Sequence, residues 1–431
     1  MKTLILCDFD GTISIRDMGY VLLNRFSSGD WDATDRAFVE GKIGSKEAYI
    51  RITKILKGRK EDVLRFIRDH SDIDPHFAAF HQYCRREGID VKIVSDGLDV
   101  YIETILQIYH LADIPFYANR SRFLEGEGLE MSFPYSNEDC GMCGTCKKRL
   151  VEIHREAYDR IIYVGNGVSD RCGAKASDFA FAKSALYRYC VEQDIVCHHF
   201  QHFGEILADL RKRIRGVIFD LDGTLIEAYE ALYLGIEEAF QHFGRTMFPF
   251  QDFPQYVNVD LEATLSRFLS PEEVAEAIPI VRKKYEEVYL EKTRFLDGAK
   301  ETVEALHAQG VVLAVASNKF GRFSRGALNH LGVAGYFKAA LGAGDVPRNK
   351  PFPDMLHAAL KEIDLPSQDV VFVGDTLTDI ETGQVAGVDV YALPTGFHTK
   401  IELSKGTPRR ILRDLKELVH VTKDLFSVPK R

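Results

Sequence analysis

The sequence has no apolar run approaching the roughly 20 residues of a membrane span, so a transmembrane anchor is not expected. A secretory signal is not expected either, because the first apolar stretch stops at Asp8. Positive charge is in deficit: 55 Lys and Arg face 64 Asp and Glu, a net charge of −9. That balance argues against nucleic acid or an anionic membrane as a partner. Cysteine is sparse, and eight thiols in 431 residues without a secretory signal read as reduced groups of a cytoplasmic protein. No Pro/Gly/Ser-rich tether interrupts the chain, and 45% hydrophobic with 28% charged residues leaves no sign of disorder. This length is expected to form two domains of ordinary size.

What is present, twice, is an apolar strand that ends on two carboxylates. Arg215-Gly216-Val217-Ile218-Phe219 runs into Asp220-Leu221-Asp222-Gly223-Thr224. Near the amino terminus Leu4-Ile5-Leu6-Cys7 runs into Asp8-Phe9-Asp10-Gly11-Thr12. A continuous apolar run rich in β-branched residues is the signature of a buried parallel strand. In open α/β sheets the reactive crevice lies beyond the carboxyl ends of such strands. Alternation along an extended chain points the two acids of each pair the same way. One acid can then attack an electrophile while the other handles a proton.

In the first half, helical spacing runs from about residue 16 to residue 84, with breaks at Ser27-Ser28-Gly29 and Gly41-Lys42-Ile43-Gly44. The strand Val91–Val94 ends at Ser95-Asp96-Gly97, and the strand Arg160–Val164 ends in Gly165-Asn166-Gly167-Val168-Ser169-Asp170. Between them lies Cys140-Gly141-Met142-Cys143-Gly144-Thr145-Cys146-Lys147-Lys148. Its overlapping Cys-x-x-Cys spacings suit metal ligation, but a structural zinc site takes four ligands and no fourth is evident. His154 stands at an unconvincing spacing, so reduced thiols that order a tight loop are the favoured reading.

A last amphipathic helix, Phe203 to about Arg213, leads into the second half. There a helical stretch from residue 227 to 292 includes a start signal at Ser270-Pro271-Glu272-Glu273. Leu232, Ile236, Ala239, Phe240 and Phe243 keep near-helical spacing and are expected to form that stretch's own core. The strand Val311–Val315 delivers Ser317-Asn318-Lys319, Lys350 precedes Pro351, and Val370–Val373 ends in Gly374-Asp375-Thr376-Leu377-Thr378-Asp379.

In both halves these segments, in this order, resemble the motifs of the haloacid-dehalogenase-like superfamily, whose members are mostly Mg²⁺-dependent phosphatases. The first half is similar to phosphoserine phosphatase and, more closely, to the methionine-salvage enol phosphatase. The second resembles phosphoglycolate phosphatase and β-phosphoglucomutase. The fold expected is α/β: two tandem Rossmann-like domains with mainly parallel sheets, 1–213 and 214–431, each with a helical cap insert at about 16–84 and 227–292. The resemblance implies a phosphomonoester hydrolase acting on a small phosphorylated metabolite through an aspartyl-phosphate.

By the same resemblance Asp220 is the nucleophile and Asp222 the acid and base, with Asp8 and Asp10 as counterparts. Ser317, Asn318 and Lys350, and in the first half Ser95 and Lys147 or Lys148, would bind phosphate. Mg²⁺ would be held by Asp220, Asp222, Asp375 and Asp379, and by Asp8, Asp10, Asn166 and Asp170. The cation answers an electrostatic need, because clustered carboxylates raise each other's pKa until some stay protonated. Asn166 stands where the family has an acid, which leaves a non-catalytic phosphate-ligand sensor or scaffold as the alternative for the first half. A phosphomutase is the alternative for the second.

Overall fold

The structure, a computed structural model, describes residues 2–125, 128–256, 261–396 and 398–426. The chain divides into two compact units, Met1–Arg211 and Lys212–Arg431.

The first unit is built on a seven-stranded sheet: β1 (Thr3–Cys7), β2 (Asp90–Leu98), β3 (Phe116–Phe123), β4 (Leu129–Ser132), β5 (Arg160–Gly165), β6 (Phe179–Ala182) and β7 (Cys197–His199). Their order is β4-β3-β2-β1-β5-β6-β7, and every pairing is parallel except β3 with β4. Strand β1 lies between β2 and β5, with Cys7 in register with Ile93 and Val164. Leu4 to Cys7 are fully buried, which is why this segment is apolar on both faces. The ladder runs one residue further, where the Asp8 amide donates to the Val164 carbonyl at 2.8 Å. The β3–β4 hairpin was not legible in sequence, because β4 is only four residues long with Glu130 exposed.

Five helices follow β1: Met18–Phe26, Asp32–Val39, Ser45–Thr53, Lys60–His70 and Phe77–Arg86. They break where the sequence breaks, and Asp17 caps the first by accepting from the Tyr20 amide at 3.0 Å. The fifth differs from the expected insert. Its Phe77 and Phe80 pack on Phe203 of the closing helix Phe203–Arg211, with ring centroids 4.8 and 4.9 Å apart.

The second unit contains β8 (Gly216–Phe219), β9 (Ile226–Glu227), β10 (Arg294–Phe295), β11 (Val312–Phe320), β12 (Phe337–Ala343), β13 (Val370–Gly374), β14 (Asp389–Ala392) and β15 (Arg410–Ile411). Its main sheet has the order β12-β11-β8-β13-β14-β15 and is parallel throughout. Val217 and Phe219 face one core with Val371 and Val373, while Ile218 faces the other with Phe372. Each fully buried side chain of this size contributes roughly 1.5–3 kcal/mol, and together they fix the height at which β8 releases Asp220.

The antiparallel pair β9 and β10 carries the chain into and out of a helical insert. Ser270 caps the helix Pro271–Lys292 with a reciprocal bond from Glu273. The insert packs on itself through Ile236, Ala239, Phe240, Val274, Ala277 and Val281. No helix among the described residues is long and apolar enough to cross a membrane.

Candidate active site

In the second unit the carboxyl ends of β8, β11 and β13 bring most of the expected residues together. The Asp220 amide donates to the Val373 carbonyl at 2.8 Å, which sets its carboxylate beside the start of helix Leu377–Ala386. Lys350, buried, bridges two acids: its Nζ stands 2.8 Å from Asp220 Oδ1 and 2.6 Å from Asp379 Oδ1. Asp379 Oδ2 is committed to the helix cap, accepting from the Thr376 hydroxyl at 2.6 Å and amide at 3.0 Å. Asp375 Oδ1 accepts from the Thr224 hydroxyl at 2.9 Å.

Asp375 Oδ2 is buried and has no hydrogen-bond partner among the described residues. A side chain on Gly223 would put its Cβ 2.4 Å from that oxygen, and one on Gly396 would put it at 1.8 Å. The space in front of the oxygen is therefore kept clear. Asp220, Asp375 and Asp379 offer oxygens all within 4.8 Å of one another. An orphaned carboxylate oxygen in an all-oxygen cluster fits a hard cation such as Mg²⁺. Without one, burial pushes Asp220 up to about 6, Lys350 countering and Asp379 reinforcing the shift. Burial also pushes Asp375 well up, with Asp220 and Asp379 adding to it.

Two side chains depart from their expected places. Asp222 stands outside this acid cluster, its two oxygens 2.8 and 3.0 Å from the Lys319 ammonium. Asn318 serves the backbone of Lys350: its Oδ1 accepts from that residue's amide at 2.9 Å and its Nδ2 donates to the carbonyl at 3.1 Å. An amide suits this because it donates and accepts at once. Ser317 is buried, and its hydroxyl accepts from the Lys319 amide at 3.3 Å.

The first unit repeats the lysine bridge. Lys147 Nζ lies 2.7 Å from Asp8 Oδ1 and 2.5 Å from Asp170 Oδ1, and it donates to Ser169 Oγ at 3.1 Å. Lys148 is exposed and pairs with Glu152, so Lys147 is the one placed at the site. Burial pushes Asp8 up to about 7, with the Asp170 carboxylate adding and Lys147 opposing. Asp170 Oδ2 accepts from the amides of Asn166 and Gly167 at 2.9 and 2.8 Å. Asp10 accepts from the Met18 amide at 2.8 Å and the Tyr101 hydroxyl at 2.5 Å. Ser95 Oγ accepts from the Gly97 amide at 2.9 Å.

Asn166 occupies the place Asp375 has in the other unit. A Cβ on Gly11 would stand 2.4 Å from Asn166 Nδ2, as one on Gly223 would from Asp375 Oδ2. Above Asp8 and Asp10 opens a cavity of about 320 Å³, walled by Tyr20, Trp31, Phe38 and Tyr49. Tyr101 and Lys319, both on site carboxylates, were missed in the sequence. Tyr101 comes from helix Asp99–Ile108, where a tyrosine reads as core, while Lys319 sits one residue past the expected pair. His154, considered as a fourth cysteine-loop ligand, is engaged elsewhere, with Nε2 2.8 Å from Lys92 Nζ and 3.2 Å from the Tyr117 hydroxyl.

Comparison with known proteins places both halves. Residues 217–393 match the family model described as haloacid dehalogenase-like hydrolase, and residues 3–201 the one described as putative phosphatase. Over 214 residues the chain is 32% identical to a 2-hydroxy-3-keto-5-methylthiopentenyl-1-phosphate phosphatase of Brevibacillus brevis, covering 49% of this chain and 96% of that protein. It is 28% identical to a phosphoglycolate phosphatase of Pseudomonas fluorescens, covering 48% of this chain and 78% of the relative. A crystal structure from Haemophilus somnus, described as a predicted phosphoglycolate phosphatase, is 26% identical over 48% of this chain and 98% of its own, with a TM-score of 0.45.

Proposed function

The chain belongs to the haloacid dehalogenase-like hydrolases and is a phosphatase of small phosphorylated substrates, and from that premise we propose that each unit holds a Mg²⁺-dependent phosphomonoesterase site working through an aspartyl-phosphate. The observation that carries this is the lysine held between two buried acids in each unit, Lys350 between Asp220 and Asp379 and Lys147 between Asp8 and Asp170.

In the second unit Asp220, Asp375 and Asp379 would hold the cation, which when bound neutralises the acid cluster and the phosphate's charge. Asp220 attacks phosphorus, and the P–O bond to the leaving group breaks as Asp222 gives that oxygen a proton. Asp222 then takes a proton from a water that attacks the aspartyl-phosphate, releasing phosphate and restoring Asp220. Lys350 and the Ser317 hydroxyl bind phosphoryl oxygens and stabilise charge as it spreads during transfer. Asn318 fixes the backbone from which Lys350 reaches.

In the first unit Asp8 and Asp10 take the corresponding roles, with Ser95 and Lys147 on the phosphate. The helical inserts act as caps, and the aromatic walls of the first cavity suit a phosphate ester with a thioether or similarly apolar tail. The similarity to a phosphoglycolate phosphatase supports a small carboxylated ester for the second unit. Asn166 favours a second reading for the first unit, a phosphate-ligand sensor. Phosphate release from both substrate classes by the whole chain, by Asp8→Asn and by Asp220→Asn tests these assignments. Each substitution should remove turnover of one class and spare the other; loss of both classes from one substitution would refute two independent sites.

A further inference from the structure

Asp96, the acid of Ser95-Asp96-Gly97, has no part in the chemistry proposed above. It lies near the carboxyl end of β2 and is 9% exposed. One of its oxygens is engaged: Oδ1 accepts from the Thr145 amide at 2.8 Å and from Asn119 Nδ2 at 3.4 Å. Asn119 Nδ2 also donates to the Asp96 carbonyl at 2.6 Å, and Asn119 Oδ1 accepts from the Thr145 hydroxyl at 3.2 Å. Asn119 and Thr145 are themselves fully buried, so the carboxylate is held from behind. The cysteine loop supplies part of that support. A Cβ on Gly144 would stand 2.9 Å from Asp96 Oδ1, and the Gly144 amide donates to Ser45 Oγ at 3.2 Å.

The other oxygen is not engaged. Asp96 Oδ2 is buried without a hydrogen-bond partner among the described residues, and Asp96 lines the cavity above Asp8 and Asp10. An unpaired buried carboxylate oxygen is costly, which makes a cavity wall the place to look for its missing partner.

Its neighbours say which part of a ligand would reach it. Ser95, on one side, is the proposed phosphate ligand. On the other side a Cβ on Gly97 would stand 2.6 Å from Oδ2 of Asp10, the proposed acid and base. Asp96 thus sits where the first carbons of the leaving alcohol would lie. The cavity is lined by Asp8, Asp10, Asp17, Asp35 and Asp96 and by no Lys, Arg or His. Such walls disfavour a second anionic group on the ester and favour one that donates a hydrogen bond.

We propose that Asp96 is a specificity-determining residue of the first unit, its Oδ2 accepting a hydrogen bond from a hydroxyl or ammonium group on the leaving alcohol, close to the ester oxygen. The substrate class is then a phosphate ester with a donor group beside the ester carbon. This rests on the reading of the first unit as a phosphomonoesterase site.

Trp31, the single tryptophan of the chain, lines the same cavity and can report its occupancy without turnover. The test is titration of the full chain carrying Asp8→Asn and Asp220→Asn with ethyl, 2-hydroxyethyl and 2-aminoethyl phosphate in saturating Mg²⁺, reading Trp31 fluorescence. At least one donor-bearing ester should bind about tenfold or more tightly than ethyl phosphate, and the one that does identifies the donor. Asp96→Asn keeps an oxygen for the Thr145 amide and puts an NH₂ group in place of Oδ2, so it should bring that ratio to about one. Ethyl phosphate is the reference that cancels the change of charge, and Asp96→Ala replaces Asp96→Asn should the latter not fold. Equal affinity for the three esters, no response to any of them, or a ratio that the substitution leaves unchanged would overturn the proposal. Absence of phosphate release from the chain carrying Asp220→Asn alone would instead overturn the phosphatase reading of this unit.

Discussion

Lys319 holds Asp222 by both carboxylate oxygens, at 2.8 and 3.0 Å, beneath the ring of Tyr285 at 5.3 Å. Tyr285 belongs to the insert helix Pro271–Lys292, so the residue proposed as acid and base is tied through one lysine to the insert. On the proposed mechanism, an ammonium paired with the acid Asp222 stands on the leaving-group side of the phosphoryl centre. Lys319→Met should therefore lower kcat/KM for 2-phosphoglycolate about tenfold to a hundredfold, the worth of one charge-assisted contact. For an ester with a similarly basic alkoxide leaving group but no carboxylate, such as 2-hydroxyethyl phosphate, the fall should be several-fold smaller. Equal losses on both substrates, measured side by side, would mean that Lys319 only orients Asp222.

The buried acids make an unusual pH dependence. In the metal-free chain burial holds Asp220 near pH 6 and Asp8 near pH 7, while unfolded carboxyls titrate near 4. Between those limits the folded chain keeps protons that the unfolded chain has released, so these two groups make stability fall as pH rises from about 4 to about 7. Calorimetric melts of the chelator-treated chain should show this slope reduced in Asp8→Asn/Asp220→Asn. Saturating Mg²⁺, which takes the place of those protons, should reduce it in the wild type. An identical slope in the double variant would show that the acids are not held protonated by burial.

Gly223 carries two separable burdens. Its φ of +82° costs any other residue backbone strain, roughly 1 kcal/mol for alanine, and its added Cβ would crowd Asp375 Oδ2 at 2.4 Å. Gly244 is the internal control, with φ +65° and nothing within 4 Å of an added Cβ. Both Gly→Ala variants should melt at lower temperature. Only Gly223→Ala should raise the Mg²⁺ concentration for half-maximal activity, by about tenfold or more, as expected when one carboxylate ligand is obstructed. A similar shift in Gly244→Ala would assign the effect to strain alone.

The sites were legible where chemistry sits at the ends of buried strands. β1, β8 and β13 are short apolar runs with no competing interpretation, and each is followed directly by an acid. What escaped came from elements remote in sequence or from side chains with more than one use. Tyr101 lies 91 positions beyond Asp10 and reaches its carboxylate only through the fold. Asn318 was expected on phosphate, yet an amide that both donates and accepts is better matched to a backbone amide and carbonyl, and Lys350 offers both. The β3–β4 hairpin was hidden because exposed Arg120 and Glu130 break up its apolar signal.

The two units differ most tellingly at Asn166. In the second unit three carboxylates and the Lys350 ammonium leave two negative charges around the cation position. In the first, Asp8, Asp170 and Lys147 leave one, and Asn166 adds none. Charge count is a main determinant of affinity for hard cations. Replacing one charged oxygen by a neutral one costs about 1–3 kcal/mol, or roughly tenfold to a hundredfold in affinity. Because Asn166 meets Gly11 as Asp375 meets Gly223, an aspartate introduced there would point the same way without repacking. In the full chain carrying Asp220→Asn to silence the second site, Asn166→Asp should lower the half-saturating Mg²⁺ concentration by that factor and raise phosphate release. Metal titrations of the two proteins decide the point. Superimposable curves would show that the amide oxygen ligates well enough, and the sensor reading of the first unit would lose the observation that supports it.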